Sequence, residues 1–289
     1  MKTAEEIARA SASAREKMLQ LDAATAERLK SLYQQVIAQL QQELATSAGP
    51  DSKVKVETLN DYLHQARQHL AQLDQAQRLM LSGSLLTAAE LGAAPWVGGL
   101  ALAQLADSAA RFTEGFLAAD GLKLSDRLWR LNAGNMADFR DVIRRNVVLG
   151  RDASKAAMEF MAKQESLPLE LRAHLNKDSV GSLSKVIEDR LLTGPGNAYS
   201  NALRVFRTEI NRAHGEAYQL GAGAHPDVIG MKFTLSPNHK VRDICDSLAA
   251  QNIHGLGAGV YRVGQSPWPA HPNTMSFLVA VFREVKKAA

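Results

Sequence analysis

Leu29, Leu32, Val36, Leu40 and Leu44 recur at spacings of three and four, between Gln, Glu, Lys, Arg and Ala residues that favour helix. The pattern predicts one long helix over residues 4–46, ended by the Gly-Pro of "SAGPDS" (47–52). Leu59, Leu63, Ala66, Leu70, Leu73 and Met80 then predict a second helix over about 53–82, with Gln77 interrupting its apolar seam. Two long helices joined by a short turn imply an antiparallel hairpin. Seams this narrow also suit pairing between subunits, so self-association through the N-terminal helices is an open alternative.

Residues 84–131 are rich in Ala, Gly and Leu and predict closely packed core helices, broken at Gly98-Gly99 and at an Asp120-Gly121 turn. The most apolar part, 84–106, contains Glu90, Pro95 and three glycines, and reads as a buried helical hairpin rather than a membrane span. Residues 135–165 predict helix again, with Gly150 ending one segment and Asp152 or Ser154 capping the next. "LTGPGN" (192–197) is the clearest linker. After it, Tyr199, Leu203, Phe206, Ile210, Ala213 and Ala217 form one apolar helix face, with Arg204, Thr208, Asn211 and Arg212 off that face and Gly221 and Gly223 ending the helix.

The texture then changes. Strands are predicted at 228–236 and 275–282, a short helix at 241–252, and a glycine loop running into a brief strand at 255–263. The fold class is therefore mainly α, with a long N-terminal helical hairpin and a small C-terminal α+β module. The expected division is 1–83 (hairpin), 84–193 (helical body) and 199–289 (module).

Charge sharpens this division. Residues 199–289 hold ten Lys/Arg and six Asp/Glu, whereas 1–198 hold 24 of each, so the net charge of +4 lies entirely in the last third. Lys232, Lys240, Arg242 and Arg262 are candidate contacts to nucleic acid. A single cysteine, Cys245, permits no intrachain disulfide, and the polar N-terminus lacks the apolar core of a signal peptide.

Candidate chemistry is sparse. In "PWPAHPN", Pro272 holds His271 in an extended conformation just before the last strand, which suits either a structural histidine or a ligand or base. Asp243, Cys245 and Asp246 lie on the short helix, flanked by His239 and His254. No compact C-x2-C or H-x3-H pair occurs, and neither metal nor cofactor is expected. The glycines of "HGLGAGVY" match no phosphate-binding loop, and no catalytic triad order or H-E-x-x-H is present. The expected site is a structural polar cluster of Arg207, Glu209, Asp243, Asp246 and His271, with no catalytic residue.

"FRTEINRAHGEAY", the strand "MKFTLS", "VRDICDSLAAQNIHGLGAGVY", "PWPAHPN" and "FLVAVF" together resemble the C-terminal domain of the phage Mu F-like head morphogenesis proteins, minor head proteins of tailed phages and prophages. The resemblance covers about 130–283 and is strongest over 203–283; "IRRNVVLGRDASKAAMEFMA" is similar to that family's helix–Gly–helix segment, and residues 1–125 carry no resemblance. It implies a non-enzymatic virion component, assembled in the host cytoplasm, with portal and other capsid proteins as partners, packaged DNA as a further candidate, and a role in head morphogenesis and DNA packaging or delivery. The family often follows its H-P motif with Cys-x-Cys; Thr274 and Ser276 stand there instead, which argues against metal or disulfide chemistry in this chain. The alternative is a metal-dependent nuclease or effector-type enzyme of the same domain family.

Overall fold

A computed structural model describes residues 2–116, 121–163 and 166–283, apart from the side chains of Ser125 and Trp129. It is 68% helix and 7% strand, with long N-terminal helices and a small antiparallel sheet near the C-terminus, which is the expected fold class. The elements are α1 (Ala4–Thr46), α2 (Val56–Ala93), α3 (Gly99–Gly115), α4 (Leu124–Ala162), α5 (Leu169–Arg172), α6 (Val180–Glu188) running into a π-helical turn (Asp189–Thr193), α7 (Ala198–Gly223), β1 (Val228–Thr234), α8 (Ile244–Ala250), β2 (Val260–Tyr261) and β3 (Phe277–Phe282). No helix among the described residues is long and apolar enough to cross a membrane.

The chain forms two compact units, each gathered from separated stretches: 1–27, 79–127 and 203–289 in the first, 28–78 and 128–202 in the second. The spans 1–83, 84–193 and 199–289 follow linker composition, whereas these units follow contact in space. Long helices contribute to both units, so no turn in the sequence marks the division.

In the second unit the seam of α1 is buried as its spacing predicts, with Leu29, Leu40 and Leu44 fully enclosed beside Tyr33. α1 and α2 run antiparallel here: Thr58 on α2 donates to the Ser47 carbonyl at the end of α1 (2.9 Å), and His69 lies 3.9 Å from Glu43. Phe139, Ile143, Val147, Ala153 and Ala157 form one buried stripe of α4. That stripe passes straight through Gly150, where the sequence suggests a helix end. A Cβ at Gly150 would lie 2.5 Å from the Asp178 backbone nitrogen, so the glycine permits a close approach and does not stop the helix.

In the first unit α1 and α2 meet through Thr25 and Ser84 (hydroxyls 3.4 Å apart). α2 continues to Ala93, well beyond the expected end near residue 82, because Leu85, Ala88, Ala89 and Ala93 prolong its buried face. α3 follows after a short turn. It buries only its C-terminal half, through Ala106, Ala109, Ala110 and Thr113, while Leu100 is 85% exposed; the expected buried hairpin over 84–106 is therefore buried only in part. The Asp120 side of the expected Asp120-Gly121 turn lies outside the described residues.

The axis of the first unit is α7. From Thr208 to Gln219 all its residues except Glu216 are buried. The sequence shows one apolar face and predicts polar residues outside it; the helix is instead enclosed on all sides, and Thr208, Asn211 and Arg212 are buried with the rest. Its glycines allow this enclosure: a Cβ at Gly215 would fall 2.0 Å from the Trp268 ring nitrogen, and one at Gly221 would fall 2.3 Å from the Trp96 ring. Gly221 lies within α7, which ends at Gly223.

The sheet has the order β2-β1-β3, all antiparallel, with Lys232 opposite Val260 on one side and Val279 on the other. Alternation along β1 sends Met231 and Phe233 inward, where they pack with Tyr218 and Ala222 of α7, Cys245 and Leu248 of α8, Tyr261 and Leu278. This core joins α7, α8 and the three strands, and it sets the frame of the polar site.

Candidate functional site

The segment from His271 to Ser276 lies between α7 and α8, and the polar residues of α7 grip its backbone. Asn273 N donates to Thr208 Oγ1 (2.8 Å). Asn211 Nδ2 donates to the carbonyls of Thr274 (2.8 Å) and Ser276 (3.3 Å). Arg15 of α1 donates to the Met275 carbonyl and to Asn211 Oδ1. These backbone groups are off the strand ladder, and the carbonyls of Thr274 and Ser276 are buried, so they need such partners. Trp268, upstream in the same segment, lies against Gly215 and 6.1 Å from the Phe233 ring. The proline-rich turn is thus fixed by its backbone and by a tryptophan.

On the other side stands α8. Asp243 is its N-cap, accepting from Cys245 N (2.7 Å), and Asp246 closes the capping box by accepting from Asp243 N (2.8 Å). The first cause holding each carboxyl below the usual range is local: the Cys245 amide for Asp243, and the His239 side chain for Asp246. His239 Nε2 lies 3.0 Å from Asp246 Oδ2 and 3.9 Å from Asp243 Oδ1. His271 Nε2 lies 3.1 Å from Asp243 Oδ2, at ion-pair distance but off the line a hydrogen bond needs. About a third of each side chain of this last pair is exposed.

Two three-residue sets here offer ligand atoms within 4.8 Å of one another: His239, Asp243 and Asp246, and Asp243, Cys245 and His271. N/O donors of the first kind suit a divalent cation. The same carboxylate oxygens, however, already accept the helix-capping hydrogen bonds. The second set has the composition of a Cys-His-Asp constellation. Its thiol is buried, and burial is the first cause pushing the Cys245 pKa up, so it is a poor thiolate nucleophile near neutral pH. Cys245 Sγ lies 3.5 Å from Thr274 Oγ1, and Ser276 also interacts with it. Hydroxyls at 274 and 276 therefore surround the lone thiol.

The expected five-residue cluster divides. Asp243, Asp246 and His271 come together, joined by His239. Arg207 binds Asp22 (3.2 Å), and Glu209 binds Arg127 (2.8 Å) and Arg212 (2.9 Å). The Glu209–Arg212 pair is at i, i+3 on α7, and Glu209 is 1% exposed and turned inward. Arg212 also stacks over Phe116 at 3.9 Å. Lys232, Lys240, Arg242 and Arg262 are all exposed: Lys232 on the sheet, Lys240 and Arg242 before α8, Arg262 just after β2. Thr208 and Asn211 have the decisive contacts that sequence reading missed. Their signal is weak, since two polar residues beside an apolar helical stripe usually face solvent. No family model, curated protein or solved structure matches the chain.

Proposed function

We propose that the chain is a non-enzymatic minor head protein of a tailed phage or prophage, acting with the portal and other capsid proteins in head morphogenesis and DNA packaging or delivery. The observation that supports this reading is the convergence of the segments carrying the family resemblance. α7, which carries "FRTEINRAHGEAY", holds the residues after His271-Pro272 through Thr208 and Asn211, and Asp243, the N-cap of α8, meets His271. Residues spaced over more than sixty positions thus serve one compact module, and their contacts are to backbone and helix caps.

The first His/Asp set favours a second reading, a metal-dependent nuclease or effector-type enzyme, because His239, Asp243 and Asp246 are close enough to share one cation. Deleting the reading frame from the phage that encodes it separates the two. Under the structural reading, DNA-filled heads fall at least tenfold in electron micrographs, and the purified chain does not cut supercoiled DNA with Mg²⁺ or Mn²⁺. Normal numbers of filled heads, or cleavage lost in Asp246→Asn, would overturn it.

A further inference from the structure

Ala4, Ala8 and Ala12 recur at i, i+4 and i+8 in the first turns of α1, and these small side chains leave a groove of about 670 Å³ beside the edge strand β3. β3 contributes Phe277 and Val279 to its walls, and α7 contributes His214 and Tyr218. The volume is in the range of small-molecule sites, and the lining is mostly apolar.

Two polar groups within it are incompletely used. Arg15 has five N–H donors. Its hydrogen bonds go to two neutral acceptors, Asn211 Oδ1 and the Met275 carbonyl. Asp22, the carboxylate whose charge it feels, is bound to Arg207. Burial lowers the Arg15 pKa to about 10, so the guanidinium stays charged near neutral pH. His214 is 7% exposed, and its enclosed Nε2 has no partner among the described residues. Glu5, the one carboxylate lining the groove among the described residues, is strongly exposed and lies 3.9 Å from Arg9. The groove is therefore apolar along its length, with a cation and an idle imidazole nitrogen among its walls.

We propose that this groove binds a small aliphatic carboxylate, its chain against Ile7, Ala8, Phe277 and Val279 and its carboxylate on Arg15, with His214 as a second donor. A charge-assisted contact to guanidinium distinguishes such a ligand from a neutral chain of equal length. Calorimetric titration of the full chain with octanoate and with 1-octanol tests this. Octanoate is expected to bind at least tenfold more tightly. Arg15→Gln should remove that preference, and Ala8→Phe, at an exposed helix position that tolerates a larger side chain, should abolish binding of both. Absence of octanoate binding at millimolar concentration, equal affinity for octanol, or undiminished binding in Ala8→Phe would each overturn the proposal. If Arg15→Gln does not fold, the octanoate-to-octanol ratio and Ala8→Phe decide alone.

Discussion

His214 is neutral near pH 7 because burial, with the positive charge of Arg15 second, pushes its pKa down to about 3. In the unfolded chain it takes a proton near pH 6.5. Between these values the unfolded state binds the extra proton, so stability is complete above about 6.5 and declines as pH falls. The slope is about 1.4 kcal/mol per pH unit, or about 2 kcal/mol between pH 6.5 and 5. Chemical denaturation of wild type and His214→Phe across that range measures it: the wild-type midpoint should fall more steeply, and the difference between the two isolates this residue from other titrating groups. Glu209 shows the opposite arrangement. Its burial is matched by ion pairs to Arg127 (2.8 Å) and Arg212 (2.9 Å).

At the scale of elements, the last strand depends on α7 more than on the histidine that precedes it. Asn211 is 1% exposed and donates to two carbonyls of the 274–276 segment; removing its amide leaves those acceptors buried and unpaired. Asn211→Ala should cost roughly 2–3 kcal/mol and accelerate amide hydrogen exchange in β3. His271→Ala should cost less than about 1 kcal/mol, since its contact to Asp243 is partly solvent-exposed and unaligned. Thermal unfolding together with hydrogen exchange on both variants checks the ranking; equal losses would contradict it. The elements themselves were largely legible in the sequence. α1 has its expected bounds because an unbroken three-four repeat runs into Gly49-Pro50. Gly150 was not legible: a glycine that ends a helix and one that admits a neighbour look alike until Asp178, 28 residues later, comes into place. The polar side of α7 was misleading for the same reason. Periodicity reports which face is apolar and is silent on whether the polar residues find buried partners, as Thr208 and Asn211 do.

At the scale of the molecule, the candidate site was legible in part. Asp243, Asp246 and His271 are close in space as their motifs suggest, and local sequence explains why: a capping box fixes the two carboxylates, and a proline turn places the ring. Arg207 and Glu209 were out of reach of sequence reasoning because their partners, Asp22 and Arg127, come from elements far away along the chain. Thr208 and Asn211 hold backbone and Asp243 and Asp246 cap a helix, the contacts on which the proposed assembly role rests. Quantitative mass spectrometry of purified phage particles tests that role most directly. The chain should be found in the particles at a constant low ratio to the portal protein; particles that lack it, while the cell extract contains it, would contradict the assembly role.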